Sequence, residues 1–297
     1  MKKTVELVYH KGQNFGDALN PFIFENYLGD NFSETGDVKL IGIGTILGLK
    51  KIEALKIVFS SGATKGNDGT YGKAPLIDES YDVFCVRGPK TAELLGINNS
   101  YAVCDGAYLL NDFYDFSVKK KYKYAYMPHH KSEDMYRELK KVFADLGIKF
   151  ISPADPYKKV LKELAQSEKV ITDAMHGAIV ADAFRVPWIP TKGYPFINDF
   201  KWGDFTSSME ITNFKFNQLP KLHDISFFEK IIKDKIKIAF IAKFLAPIVS
   251  KFRVHSYKRK IQQIIKADQF YLSNDKIIES KVAQLKNKLE ALKIKYF

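Results

Sequence analysis

The sequence predicts an α/β protein of two successive parallel-sheet halves facing a cleft, followed by a helical, basic C-terminal extension. Three observations carry this. Short apolar runs ending in glycine turns alternate with segments of helical spacing, the pattern of parallel strands joined by right-handed crossovers. The alternation breaks at the lysine-rich stretch S-V-K-K-K-Y-K (117–123) and restarts beyond it, as at a linker. From Lys221 onward there are 18 Lys+Arg against 7 Asp+Glu, a balance of +11 out of the chain's +12. The expected units are therefore 1–118, 119–222 and 223–297.

A chain of 297 residues with 46% hydrophobic and 14% aromatic content can bury the cores of two domains. No stretch of about 18 uncharged apolar residues offers a spanning helix. The opening M-K-K-T-V-E-L-V places Glu6 where a secretion signal would stay apolar, so it reads as a first strand. Cys85 and Cys104 both lie in apolar runs and are expected to be buried thiols of a cytosolic protein, with no metal-ligand spacing around them.

In the first half, residues 4–10 read as a strand. The turn after it, K-G-Q-N-F-G-D-A-L-N-P-F, leads into a helix beginning near Asn20-Pro21. Asn14, Asp17 and Asn20 on this strand-to-helix loop are candidates for sugar hydroxyls, although Asx residues in such loops often bond only their own backbone. Runs at 40–47, 55–63, 83–89 and 101–107 read as further strands, with the helical segment K-T-A-E-L-L-G-I before the last. Arg87 follows a strand directly, in a turn with Gly88 and Pro89; a fixed fork of donors there suits a carboxylate or a phosphate.

In the second half, strand 122–128 ends at His129-His130, one of which is a candidate ligand contact. An amphipathic helix from about Ser132 to Leu146, strand K-F-I-S-P and a helix from about Asp155 to Gln166 follow. The most informative stretch is V-I-T-D-A-M-H-G-A-I-V-A-D-A-F-R-V-P-W-I-P (170–190), read as strand, turn, helix, strand. Its turn stands at the carboxyl end of a parallel strand, where open α/β sheets bind ligands, and its helix offers free N–H groups to an anion. His176, with Gly177 and Ala178, is thus expected at the mouth of a site. Lys192 emerges from the next strand end and could meet an anion, whereas Lys201 beside Trp202 could simply lay its stem on the ring.

The extension carries apolar residues on most turns from Phe227 to Val249, with Lys230, Lys233, Lys235, Lys237 and Lys243 interspersed. A basic, aromatic-bearing amphipathic helix of this kind suits an anionic membrane surface. Its run I-A-F-I-A-K-F-L-A-P-I-V is too hydrophobic for a strip that tracks nucleic-acid phosphates, so no nucleic acid is expected as a partner. Val282, Leu285, Leu289 and Leu292 have the spacing of a packing or pairing helix.

With these residues in view, the sequence resembles the polysaccharide pyruvyl transferase family. The resemblance rests on N-F-G-D-A-L-N-P-F (14–22), I-G-I-G-T-I-L (41–47), V-R-G-P-K-T-A-E-L-L-G (86–96), D-G-A-Y-L-L (105–110) and M-H-G-A-I-V-A-D-A-F-R-V-P-W-I (175–189). It covers roughly residues 5–205 and leaves the extension outside. It implies two Rossmann-like domains similar to the GT-B glycosyltransferases. The implied activity is transfer of the enolpyruvyl unit of phosphoenolpyruvate to two hydroxyls of a sugar, giving a pyruvate ketal and phosphate, with no cofactor or metal. It also suggests His176 as the acid, with Asp17 or Asp173 as base. Some similar proteins carry an arginine two residues before the histidine, where this chain has Ala174, so Arg87 and Lys192 are the expected anion contacts.

The expected acceptor is a lipid-linked hexose such as galactose, met at the cytoplasmic face of the membrane during capsule or cell-surface polysaccharide synthesis. A glycosyltransferase of the same architecture using a nucleotide sugar is one alternative. A membrane-recruited, non-catalytic sugar-binding or scaffold protein is another.

Overall fold

A computed structural model of the chain describes residues 4–12, 14–29, 32–48, 54–65, 72–193, 197–220 and 236–297, with backbone only for 133–136 and 236–250. Two parallel sheets lie on either side of the lysine-rich stretch. The first has the order β1 (Val5–Val8), β2 (Val38–Ile41), β3 (Leu55–Ser61), β4 (Tyr81–Val86). Its register runs through Val5↔Val38 and Val38↔Leu55. β3 is buried along nearly its whole length, as expected of a parallel strand covered on both faces. α1 (Leu19–Leu28) follows β1, and α2 (Pro89–Leu95) follows β4. Pro89 at the start of α2 and Gly96 at its end, with φ 66°, set that helix's limits.

The second sheet comprises β5 (Tyr122–Met127), β6 (Lys149–Phe150), β7 (Ser167–Thr172), β8 (Trp188–Lys192) and β9 (Asn217–Gln218), in the order β6-β5-β7-β8-β9. Helices α3 (Tyr136–Asp145), α4 (Tyr157–Ala165), α5 (Met175–Ala183) and α6 (Asp199–Ser208) complete it. The first strand of this sheet stands between the second and the third, so the winding direction reverses between β5 and β7. Such a reversal opens a crevice at the strands' carboxyl ends. The first sheet runs in chain order without a reversal among the described residues, and in that respect departs from a Rossmann-like order.

The strand expected at 101–107 is not one. Val103 donates to Val86 O at 3.1 Å, but Asp105 then caps a 3-10 turn over Gly106–Asp112 by accepting from Ala107 N at 3.0 Å. The apolar run had the composition of a strand, and a local cap diverted it. The helix expected from Ser132 begins as a 3-10 turn over His130–Met135 before α3.

Two buried carboxylates tie distant segments together. Asp204 of α6 accepts from Arg87 Nε at 3.0 Å, Thr91 N at 2.9 Å and Thr91 Oγ1 at 2.6 Å, bracing the second half against α2. A Cβ on Gly88 would stand 2.4 Å from Asp204 O, so that glycine permits the close approach. Asp182 of α5 accepts from Tyr108 Oη at 2.6 Å, Trp188 Nε1 at 3.0 Å, Ser273 N at 2.9 Å and Ser273 Oγ.

The extension contains α7 (Ile236–Ala267) and α8 (Asp275–Tyr296). Much of it is body rather than tail. Tyr257, Ile261 and Ile264 of α7 pack with Tyr126 and Phe143 of the second half. Ile278, Leu285, Leu289 and Leu292 of α8 are buried in the main core, while Lys295 and Tyr296 bond Asp82 of β4. Of the two roles open to the leucine spacing, packing is the one seen. The basic segment expected from Phe227 lies outside the described residues as far as 235, and only its helical backbone is described from 236 to 250. No described helix is long and apolar enough to cross a membrane.

Candidate functional site

The carboxyl ends of both sheets open on one cleft of about 200 Å³. The loop after β1 contributes His10, Asn14 and Asp17, and the loop after β2 contributes Gly44 and Thr45. The end of β5 brings His129, His130 and Lys131; the turn after β7 brings Ala174 and His176; α6 brings Asn198, Lys201 and Trp202. The first two of these three sources lie at the reversal between β5 and β7, as the winding rule requires, and α6 follows β8.

His176 is the second residue of α5. The turn before it is fixed by Thr172, whose Oγ1 donates to Met127 O at 3.0 Å and accepts from Ala174 N at 2.9 Å. A Cβ on Gly177 would lie 2.7 Å from Met127 Sδ and from Thr172 Oγ1, so the lack of a side chain seats α5 on β5 and β7. The imidazole reaches across to the first half, where a Cβ on Gly16 would stand 1.8 Å from Nδ1. Nε2 is buried without a hydrogen bond, 3.7 Å from Asp105 Oδ2. The side chain is 12% exposed, and that exposure belongs to its other atoms.

Asp17 is nearly buried and accepts from Asn14 Nδ2 at 2.5 Å. Burial raises its carboxyl above the ordinary range, opposed by His176, the Asn14 bond, His10 and Lys201. It is therefore a carboxylate more ready than usual to take a proton. His129 and His130 stack with ring centroids 4.4 Å apart. Burial, then neighbouring positive charge, lowers them to about 3 and about 4. Both are neutral near pH 7, which leaves Lys131 and Lys201 as the lysine charges on the cleft wall.

Of the residues singled out in the sequence, His176, Asp17, Asn14 and His129 meet at the cleft. The others do not line it. Asn20 is fully buried, donating to Asp17 O and Ile43 O and accepting from Ile43 N at 2.7 Å; its amide is spent on holding the loop after β2. Arg87 is fully buried, its Nε on Asp204 and its Nη1 on Thr45 Oγ1 at 2.8 Å. Gly88 and Gly177 serve packing, and the Ala178 N–H is taken by Ala174 O at 3.2 Å. Lys192 pairs with Asp199 at 2.6 Å and lies over the Phe216 ring.

Asp173 also turns away from the cleft. It accepts from Tyr126 Oη at 3.0 Å, Thr191 Oγ1 and Gly193 N at 3.3 Å. Burial pushes its carboxyl up to about 6 against those three donors. The residues the sequence did not single out are His10, Thr45, Lys131, Asn198 and Asp105, and Lys201 reaches the cleft where Lys192 was expected. Lys201 had a signal: Asn198 caps α6 through Lys201 N at 3.1 Å, which fixes its place in the first turn.

Residues 14–191, more than half of the chain, match the family model for polysaccharide pyruvyl transferase. The succinoglycan biosynthesis protein ExoV of Rhizobium meliloti (strain 1021) is 34% identical over 206 residues, 67% of this chain and 62% of that protein. The similarity thus spans less than two thirds of that relative's length. No solved structure matches the chain. The matched span runs from Asn14 on the β1 loop through His176 to the end region of β8, taking in cleft residues of both halves but not His10 or those of α6, and the chain belongs to the polysaccharide pyruvyl transferase family.

Proposed function

We propose that this chain transfers the enolpyruvyl unit of phosphoenolpyruvate to two hydroxyls of a sugar, forming a pyruvate ketal and releasing phosphate. The observation that carries the reading is a partly exposed imidazole, His176, across a small cleft from a carboxylate whose proton affinity burial has raised. At about 200 Å³ the cleft is small beside typical ligand pockets of about 300–1,000 Å³. That suits a three-carbon phosphorylated acid better than a nucleotide sugar.

The chemistry is a proton transfer followed by an addition and one substitution. His176 gives a proton to the methylene carbon, turning it into a methyl group and leaving C2 cationic. A sugar hydroxyl attacks C2 and loses its proton to Asp17. The C2–O bond to phosphate then breaks with its electron pair, and the second hydroxyl closes the ketal. Asp17 passes the first hydroxyl's proton to the departing phosphate, and the second hydroxyl's proton restores His176. General acid catalysis of this kind contributes about 10²–10⁴-fold. Lys131 and Lys201 offer the charge that a phosphate and a carboxylate need, and Asn14 and His129 line the same space.

The two sheets would then be the lobes of a GT-B-like enzyme, divided near residues 118 and 222. The relative's name concerns succinoglycan biosynthesis, so a saccharide is the acceptor class. A lipid-linked hexose such as galactose, bound for a capsular or surface polysaccharide, fits the lysine-bearing segment from Phe227 to Val249 resting on the anionic inner face of the membrane. Because residues 257–292 pack into the body, that segment is tested by substitution. Changing Lys230, Lys233, Lys235, Lys237 and Lys243 to Glu should abolish sedimentation with anionic liposomes; unchanged sedimentation would remove the membrane from the reading.

The activity is tested by incubating the protein with phosphoenolpyruvate and a lipid-linked galactoside in D2O. The expected result is phosphate release with a ketal whose methyl carries solvent deuterium. Transfer from a nucleotide sugar, with none from phosphoenolpyruvate, would overturn it.

A further inference from the structure

Asp105 follows the run that bridges to β4, and it is fully buried. One carboxylate oxygen, Oδ1, is spent on the Ala107 N–H. The other, Oδ2, has no hydrogen-bond partner, and neither has His176 Nε2, 3.7 Å away. Arg87 Nη2 is a third buried polar atom left alone. Native proteins keep few such atoms, because a buried polar atom left without a partner is destabilising. A shift of roughly 0.5 Å would bring Oδ2 and Nε2 within hydrogen-bond range, and catalytic hydrogen bonds often tighten only when the ligand is bound.

Charge alternates along this path: Asp204 on Arg87 at 3.0 Å, Arg87 acting on Asp105, and Asp105 facing His176. Burial works against an ionised Asp105, yet His176, the Ala107 N–H and Arg87 together hold its carboxyl below the ordinary range. The carboxylate is thus charged at neutral pH and aimed at a buried ring nitrogen. The other charged and titratable groups acting at this end of the cleft are Asp17, His10, His130 and Lys201.

We propose that Asp105 is the positioning residue for His176. By accepting from Nε2–H it fixes the ring's tautomer and rotation, and leaves Nδ1, beside Gly16, as the atom that exchanges a proton with the ligand. The inference rests on the reading of His176 as proton donor and adds a residue to it. No atom of Asp105 touches substrate, and it passes no proton on.

The test is Asp105→Asn beside Asp105→Ala. Asparagine caps a helical turn as well as aspartate, so Asp105→Asn keeps the Ala107 bond and the fold while removing the charge facing Nε2. Its kcat should fall about 10²-fold or more with KM for phosphoenolpyruvate within a few-fold. The 15N spectrum of His176 should show Nε2 protonated throughout while Nδ1 alone titrates in the wild type, and a mixture of tautomers of the neutral ring in the variant. Asp105→Ala should lose the cap as well and unfold at lower temperature. Wild-type kcat and an unchanged 15N spectrum in Asp105→Asn, with lowered stability only in Asp105→Ala, would make Asp105 a cap and overturn the proposal. The spectrum needs no turnover, so failure of the pyruvyl-transfer reading, seen as no wild-type activity with phosphoenolpyruvate, is distinguished from failure of this one.

Discussion

The sharpest perturbation available is a single methyl group at Gly16. The ideal Cβ at that position would lie 1.8 Å from His176 Nδ1, 2.3 Å from Cγ and 2.5 Å from Cε1. Ordinary contact begins at 3.4 Å, so the ring must retreat by about 1.6 Å or rotate out of its place. Gly16 is not among the positive-φ residues, so alanine strains no dihedral and the effect falls on the imidazole. A misplacement of about 1 Å can cost about 10²-fold in rate, and the ceiling is the whole acid contribution of about 10²–10⁴-fold. Gly16→Ala should therefore lose about two orders of magnitude in kcat for phosphate release from phosphoenolpyruvate. Thermal unfolding should move by only a few degrees, and the helices should be intact by circular dichroism. A folded Gly16→Ala protein working at the wild-type rate would mean that the imidazole need not stand where it does, and the assignment of His176 would fall.

Other consequences concern stability and charge. Asp182→Ala leaves the Tyr108, Trp188 and Ser273 donors unpaired in the core; at about 1–3 kcal/mol per orphaned group it should cost at least about 3 kcal/mol in a denaturant titration. Asp173 has a folded carboxyl at about 6 against an ordinary value of 3.8, so the folded state holds its proton more tightly. Its contribution is full below pH 3.8 and is lost as pH rises through about 6, on the order of 3 kcal/mol over that window. Asp173→Asn should flatten the stability-against-pH curve there, measured by urea unfolding between pH 4 and pH 7. Lys192→Ala removes a half-exposed pair with Asp199 and should change activity less than two-fold. Lys201→Ala removes a cleft cation and should raise KM for phosphoenolpyruvate at least ten-fold in the same assay.

Much of this architecture was legible because parallel strands announce themselves. Apolar runs such as L-K-I-V-F-S-S end in turns that need glycine, and His176-Gly177 stood at such an end. The run around Val103 misled because its apolar content matches a strand while Asp105 caps a turn locally. Arg87 misled for a different reason. Its position after β4 was right, but its partner, Asp204, lies 117 residues away in the other half, and no local pattern announces such a pair. Lys192 and Lys201 are distinguished by their neighbours: Asp199 and the Phe216 ring draw the first away, and the Asn198 cap sets the second in the first turn of α6. Asp105 stood in the D-G-A-Y-L-L motif in plain view, yet the imidazole it faces is 71 residues further on, brought there by the packing of α5 against the 3-10 turn.

The most direct trial is single-turnover phosphate release by His176→Asn, run beside the wild type with saturating phosphoenolpyruvate and a saccharide diol acceptor. Asparagine keeps a polar, planar side chain but has no titratable proton, so release should slow by about 10²–10⁴-fold while phosphoenolpyruvate still binds. Release within a few-fold of the wild-type rate by the folded variant would show that the methylene carbon draws its proton from another group.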